Sequence, residues 1–343
     1  MNLFVRVEAS SKCGTGHLKR CIALSKKIAQ NKNNSVIFFF SGDEHYAKLI
    51  EEAGFKFFIL TYDNFNHVND VKNINEIINK HKFYFDFILV DHYKIDHLWE
   101  ELFSNYNIIV IDDLANRKHA ADILIDQNLY MNMNQRYNGL VKKDCKILLG
   151  PQYAILDTKY LENRKNVKPR SKINNILISF GGTDENNLTG KLLNFFCSEI
   201  RFKEINFNVV ITNAFKKKDE LKSKYAFKNI NFFENLDSLS DLMIQSDMSI
   251  GAGGSTTWER FAMGLPSIVI SIAENQEESS RYLNHLGLIF YIGSSNSLKY
   301  NWLDSIEELI FLKNDALKKN SIKISNYVDG LGSQRIVKEI ISY

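Results

Sequence analysis

Proline is nearly missing from this sequence, with 3 residues in 343. Glycine is modest at 17, yet the glycines cluster, which marks special backbone positions rather than a loop-rich fold. Long apolar runs are missing as well. None approaches the roughly 18 residues that suggest a membrane span, and the opening stretch MNLFVRVEASSKCG has too short an apolar run for a signal peptide. A soluble, cytoplasmic protein with no membrane partner is therefore expected. Cysteine is scarce. Cys13, Cys21, Cys145 and Cys197 form no C-x-x-C pair and match no common zinc spacing, so reduced thiols and no metal site are expected. Charge of one sign is also lacking. A net charge of +3 is small for this length, and no basic stripe interleaved with aromatics runs along the chain, which excludes nucleic acid as a partner. Lys216, Lys217 and Lys218 stand beside Asp219 and Glu220 and read as a solvated helix face.

What is present is an ordinary globular composition, 45% hydrophobic and 24% charged. The chain is too long for one doubly wound domain and comfortable for two. Short β-branched and aromatic runs alternate with stretches of helical period. In the first half, strands are expected at 3–9, 36–40, 57–60, 87–90, 108–111, 123–125 and 147–149. Helices are expected at 18–30, 44–53, 71–80 and 98–103. A polar, basic linker is expected over 151–170. The alternation then restarts, with strands at 176–180, 208–211, 230–233, 248–250, 267–270 and 289–292. Helices fall at 188–200, 217–226, 239–245, 256–263 and 277–286, and two or three more finish the chain. Strands of nearly continuous apolar character separated by helices indicate α/β domains with parallel sheets covered on both faces. The division expected is 1–150, the linker 151–170, and 171–343. Ligands of such domains bind beyond the carboxyl ends of the strands.

Six loops at those ends carry the polar residues of interest. The first strand runs into Ser10-Ser11-Lys12-Cys13-Gly14-Thr15-Gly16-His17. Its two glycines let the backbone approach a ligand closely. The third glycine of a dinucleotide fingerprint is missing, and Arg20 sits nearby. His17 is open to two readings, an incidental residue of a tight turn or a general base. Phe180-Gly181-Gly182-Thr183-Asp184 repeats the arrangement in the second half, as a turn capped by Thr183 or Asp184 or as a phosphate-contacting loop. The most informative segment is Gly251-Ala252-Gly253-Gly254-Ser255-Thr256-Thr257-Trp258-Glu259. Its glycines and hydroxyls make a nest of donors suited to a diphosphate. Glu259, one turn on, is placed to accept from both ribose hydroxyls or, alternatively, only to favour the helix dipole. Ala273-Glu274-Asn275-Gln276 can read sugar hydroxyls or acetamido groups, with Asn275 as a plain helix N-cap the alternative. Asp91-His92-Tyr93 and the pair Asp112/Asp113 close two first-half strands, and the pair reads as acids that solvate the sheet edge. None of these clusters forms a strong metal pattern.

The stretches Gly14–Arg20 (GTGHLKR), Val90–Tyr93 (VDHY), Ile111–Leu114 with Ala121–Leu129 (IDDL and ADILIDQNL), Phe180–Thr189 (FGGTDENNLT), GAGGSTTWE and AENQ resemble a known family in order and over nearly the whole chain. That family is the UDP-2,4-diacetamido-2,4,6-trideoxy-β-L-altropyranose hydrolases of pseudaminic acid biosynthesis. It is similar to the N-acetylglucosamine transferase of peptidoglycan synthesis and shares its GT-B architecture. The resemblance implies two facing Rossmann-like domains with a cleft between them, and inverting hydrolysis at the anomeric carbon that releases UDP and free sugar. It implies that His17 is the general base and that Gly16, Tyr93, Asn275 and Gln276 surround the sugar. Gly181, Gly182 and the run Gly253, Gly254, Ser255, Thr256, Thr257 would hold the diphosphate, and Glu259 the ribose. No cofactor and no metal are implied; the partner is a small UDP-sugar, and the protein is expected to be a monomer. The chain departs from some members in continuing through further helices to Tyr343.

The residues agree with that chemistry. A glycosidase needs two carboxylates because an alkoxide leaves poorly. A diphosphate leaves unprotonated when its developing charge meets N–H groups. One base and one anion cradle suffice, and the sequence offers both with no persuasive carboxylate pair. Two alternatives remain on the residues alone: a glycosyltransferase on the same scaffold, and a non-catalytic nucleotide-sugar binding protein.

Overall fold

The computed structural model describes every residue except Lys12, Ala226, Phe227, Lys228 and Asn235. Lys12 of the first glycine loop and the last residue of the helix expected at 217–226 therefore lie outside the described residues. The chain divides into two compact units. The first comprises 1–128, 132–155 and 332–343; the second comprises 129–131 and 156–331.

The first unit is built on a seven-stranded sheet of β1 (Asn2–Ala9), β2 (Ser35–Gly42), β3 (Lys56–Ile59), β4 (Phe87–Asp91), β5 (Asn107–Ile111), β6 (Ile123–Asp126) and β7 (Lys146–Leu149). Their spatial order is β3-β2-β1-β4-β5-β6-β7, and all pairs are parallel. The apolar runs explain this. Every residue from Leu3 to Val7 is buried, as is every residue from Val36 to Ser41, and strands buried on both faces need helices on both sides. Arg6, within that run, is tolerated because Asp70 takes its Nε and Nη2, at 3.1 and 2.8 Å, while Trp99 Nε1 donates to the same carboxylate at 2.8 Å.

The second unit carries a six-stranded parallel sheet of β8 (Asn175–Ser179), β9 (Asn206–Ile211), β10 (Ile230–Glu234), β11 (Met248–Gly251), β12 (Ser267–Ser271) and β13 (Phe290–Ser294). Its order is β10-β9-β8-β11-β12-β13. In both sheets the chain winds outward to one edge and then returns to the other side of the first strand. That reversal, at β1/β4 and β8/β11, is where loops diverge and leave room for a ligand.

Two features differ from the sequence reading. The segment 151–170 is not a plain linker, since it holds a short turn at Pro151–Tyr153 and a helix at Thr158–Arg164, whose start is capped by the Asp157 carboxylate. The final helix, Gly332–Ile341, groups with the first unit rather than with 171–331. Its apolar face explains why. Ile336 and Ile340 are buried among Leu3, Val5 and Leu24 in the first unit's core, and Gly332 lies so close to Ala154 that a Cβ there would sit 2.1 Å from the Ala154 carbonyl oxygen. Among the described residues no helix is long and apolar enough to cross a membrane.

Candidate active site

At the first reversal, the loop after β1 closes on itself. Gly14, at φ +74°, donates its N–H to Ser10 O at 2.8 Å. The helix Gly16–Ala29 starts at once, so His17 falls in its first turn and is only 7% exposed. Its Nδ1 lies 2.5 Å from Oδ1 of Asp91, the last residue of β4. Arg20, three residues on and hence on the same helix face, clamps that carboxylate. Its Nε donates to Oδ2 at 2.5 Å and its Nη2 to Oδ1 at 2.6 Å, while Nη1 reaches Asp113 at 3.1 Å. Burial by itself would raise the Asp91 pKa, but Arg20 and His17 outweigh it and hold the carboxyl well below the usual carboxylate range. With Nδ1–H donated to the charged Asp91, Nε2 is the ring nitrogen left to accept a proton; Arg20 Nη2 lies 3.0 Å from the same Nδ1. Tyr93 meets the His17 ring edge-on, with centroids 4.4 Å apart. Burial first, and then Asp113, which takes its hydrogen bond, push the Tyr93 hydroxyl far above its ordinary pKa, so it stays protonated.

His92 turns the other way. Its Nδ1 accepts the Lys94 N–H at 3.1 Å, its Nε2 faces Glu8 at 3.2 Å, and Phe65 stacks on its ring. Burial, then Arg6 and His17, hold it well below an ordinary histidine and keep it neutral. The reading of Asp112 as an acid that solvates the sheet edge is overturned. Asp112 is buried, taking bonds from Arg117 at 2.7 Å, the Ala115 N–H at 2.8 Å and the Tyr137 hydroxyl at 3.1 Å. It turns inward because those donors are there.

At the second unit's reversal the two glycine loops differ. Gly181 has φ +78°, but the helix start that follows is filled from within. Asp184 accepts the N–H groups of Leu188 and Thr189 at 2.8 and 2.9 Å. In the loop after β11, by contrast, the donors are open. Thr257 and Trp258 donate to Gly254 O and Ser255 O, each at 3.0 Å, and Ala252 donates to Ser179 O at 3.2 Å. The N–H groups of Gly253, Gly254, Ser255 and Thr256 have no partner among the described residues. Gly254 has φ +86°. A Cβ on Gly253 would lie 3.1 Å from Ser280 Oγ and 3.2 Å from Gln276 Cβ, so any larger residue would crowd both side chains. Gln276 anchors its own Oε1 on the Ile272 N–H at 3.0 Å, and its Nε2 lies beside Gly254. Asn275 is exposed in a 3-10 turn over Glu274–Gln276 and makes no N-cap for the helix Glu277–His285. Glu259 is half-buried and bonds the Tyr160 hydroxyl. Among the described residues no group of three or more His, Cys, Asp or Glu is arranged to hold a metal ion.

A crystal structure of MurG from Acinetobacter baumannii superposes on the whole chain with a TM-score of 0.66 at 12% identity, covering 100% of this chain and 99% of that one. Residues 174–334 match the family model of the glycosyltransferase family 28 C-terminal domain. The fold is GT-B. Among relatives by sequence, an uncharacterised protein of Methanocaldococcus jannaschii is 30% identical over 291 residues, 81% of this chain. The alignment spans only 57% of that relative's length. The UDP-2,4-diacetamido-2,4,6-trideoxy-β-L-altropyranose hydrolase of Campylobacter jejuni is 26% identical over 291 residues, 84% of this chain and 97% of the relative.

On this GT-B frame, each unit presents one reactive arrangement at its own strand reversal: an oriented imidazole in the first and an open row of amides in the second. Sequence reasoning found His17 and the row of glycines. It missed Asp91 as the partner that orients His17 and Arg20 as the clamp that keeps Asp91 charged. The i, i+3 spacing of His17 and Arg20 was a usable signal for Arg20. Asp91 stood out only as the end of a strand, and nothing local tied it to His17, 74 residues away.

Proposed function

We propose that the chain hydrolyses a UDP-linked 2,4-diacetamido-2,4,6-trideoxy sugar at its anomeric carbon, with inversion, as a step in nonulosonic (pseudaminic) acid synthesis. The observation that carries this reading is the His17–Asp91 pair, with Asp91 held ionised by Arg20. A water oxygen attacks the anomeric carbon and gives its proton to Nε2 of His17. The bond from that carbon to the phosphate oxygen breaks, and UDP departs with the electron pair. No acid is needed, because the free amides of 253–256 meet the charge that develops on the diphosphate. Tyr93, Gly16, Asn275 and Gln276 are assigned to the sugar, Gly181, Gly182 and 253–257 to the diphosphate, and Glu259 to the ribose. The hydrolase relative supports the substrate class.

The test is incubation with a panel of UDP-diacetamido sugars in ¹⁸O-water without any acceptor. Labelled free sugar and unlabelled UDP are expected. His17→Asn should lower kcat by about 10²–10⁴-fold and leave the UDP dissociation constant nearly unchanged. A variant within a few-fold of wild type removes His17 from the mechanism. The family 28 match favours a second reading, glycosyl transfer; product that forms only when an acceptor is added would select it.

A further inference from the structure

Arg260 carries a charge without a counter-ion. It sits on the helix Thr256–Ala262 and is 1% exposed. Its Nη2 donates to Ala252 O at 2.7 Å and to Thr257 Oγ1 at 3.0 Å, and its Nε has no partner. No carboxylate lies within ion-pair distance among the described residues. Burial is the dominant influence and pulls the guanidinium down to about 10, with Glu259 and Tyr160 opposing it only in part. Buried charges are ordinarily paired, because desolvation is otherwise uncompensated.

The loop beside it has the opposite deficit. A planar peptide points its carbonyl and the next N–H in opposite directions. By drawing the Ala252 carbonyl toward itself, Arg260 turns the Gly253 N–H away, into the row of open donors at 253–256. A Cβ on Gly251 would fall 3.3 Å from Arg260 Nη1 and 2.2 Å from Ser179 O, so only glycine leaves that space clear.

We propose that Arg260 is the buried positioning residue of a nucleoside-diphosphate site on the 253–256 amides, aiming the Ala252–Gly253 peptide and holding its positive charge behind that row. This rests on the reading of the second unit as the nucleotide-binding part of a UDP-sugar enzyme. Arg260 acts through the loop and does not touch the ligand.

The experiment is calorimetric titration of the full chain with UDP and with uridine, for wild type, Arg260→Met and Arg260→Lys. Circular dichroism checks that each variant is folded. Loss of a charge-assisted bond predicts that Arg260→Met weakens UDP by about 10- to 100-fold while uridine stays within about two-fold. Arg260→Lys keeps a cation but loses the two-pronged hold on Ala252 and Thr257, and should lose UDP affinity by about 3- to 10-fold. A role in packing alone would weaken both ligands equally. The wild-type ratio of UDP to uridine affinity in either folded variant overturns the proposal. Wild type that binds UDP no better than uridine instead overturns the nucleotide-diphosphate reading on which it rests.

Discussion

Replacing Asp91 by Asn changes two quantities that the structure separates. The first is catalysis. An Asn amide facing Nδ1 of His17 at 2.5 Å would donate a hydrogen where the carboxylate accepts one. The ring proton would then move to Nε2, and the lone pair that receives the water proton would be gone. Turnover should fall by about 10²–10⁴-fold, with UDP affinity nearly unchanged. The second is stability. The substitution removes the carboxylate from a buried pair in which Arg20 makes bonds of 2.5 and 2.6 Å. Breaking such a pair from one side costs about 3–5 kcal/mol. The Asn oxygen still accepts, and Arg20 keeps Asp113 at 3.1 Å, so the lower end applies. The pH dependence follows from the direction of the Asp91 shift. Its folded pKa is depressed, so its stabilisation is complete above the unfolded value of about 3.9 and is lost as pH falls through the folded value. The gap between wild type and Asp91→Asn should be constant from about pH 5 to 8 and narrow below about pH 4. Turnover is measured as UDP release without acceptor, and stability by urea unfolding across that range. Turnover within a few-fold of wild type, or a gap that stays constant in acid, would refute the reasoning.

Three further outcomes are expected. Gly253→Ala must fit a Cβ 3.1 Å from Ser280 Oγ and 3.2 Å from Gln276 Cβ; the shift this forces on the amide row should weaken UDP by about 10-fold, and an unchanged dissociation constant would show that the row is not the diphosphate site. Asp126 is pushed up to about 7, first by burial and then by Asp112 and Asp113, with the Asn128 N–H and Arg136 opposing. A raised carboxyl favours the folded state most in acid, so wild type should lose stability relative to Asp126→Asn as pH rises from about 4 to about 7, and parallel urea midpoints would contradict the assignment. Ending the chain at Leu331 removes Ile336 and Ile340 from the first unit's core, worth about 3–6 kcal/mol together at about 1.5–3 kcal/mol each. Limited proteolysis should then cut the first unit rapidly, and unchanged protection there would place the final helix outside its stability.

The alternation of buried strands and helices was legible because it rests on local periodicity. β1, β4, β5, β8 and β11 lie within two residues of their expected bounds. The helix His67–His81 starts four residues ahead of the expected 71 because the Asn66 side chain caps it, accepting from Val68 N–H at 3.0 Å. That is a cap the apolar period did not reach.

The sequence by itself determined the parallel sheets and the glycine loops at the ends of β1, β8 and β11, and it singled out His17. Each of these follows from period or from backbone freedom over a few residues. Only the tertiary structure decided the partners. The reversal at β1/β4 sets His17 on Asp91, and strand order brings Arg20 to Asp113 across 93 residues. Likewise, Asp184 caps the helix start that follows one glycine loop while the amides of the other stay open, and the last helix returns to the first unit. These depend on which buried faces find each other, a property of the whole chain's packing that no short window of residues encodes.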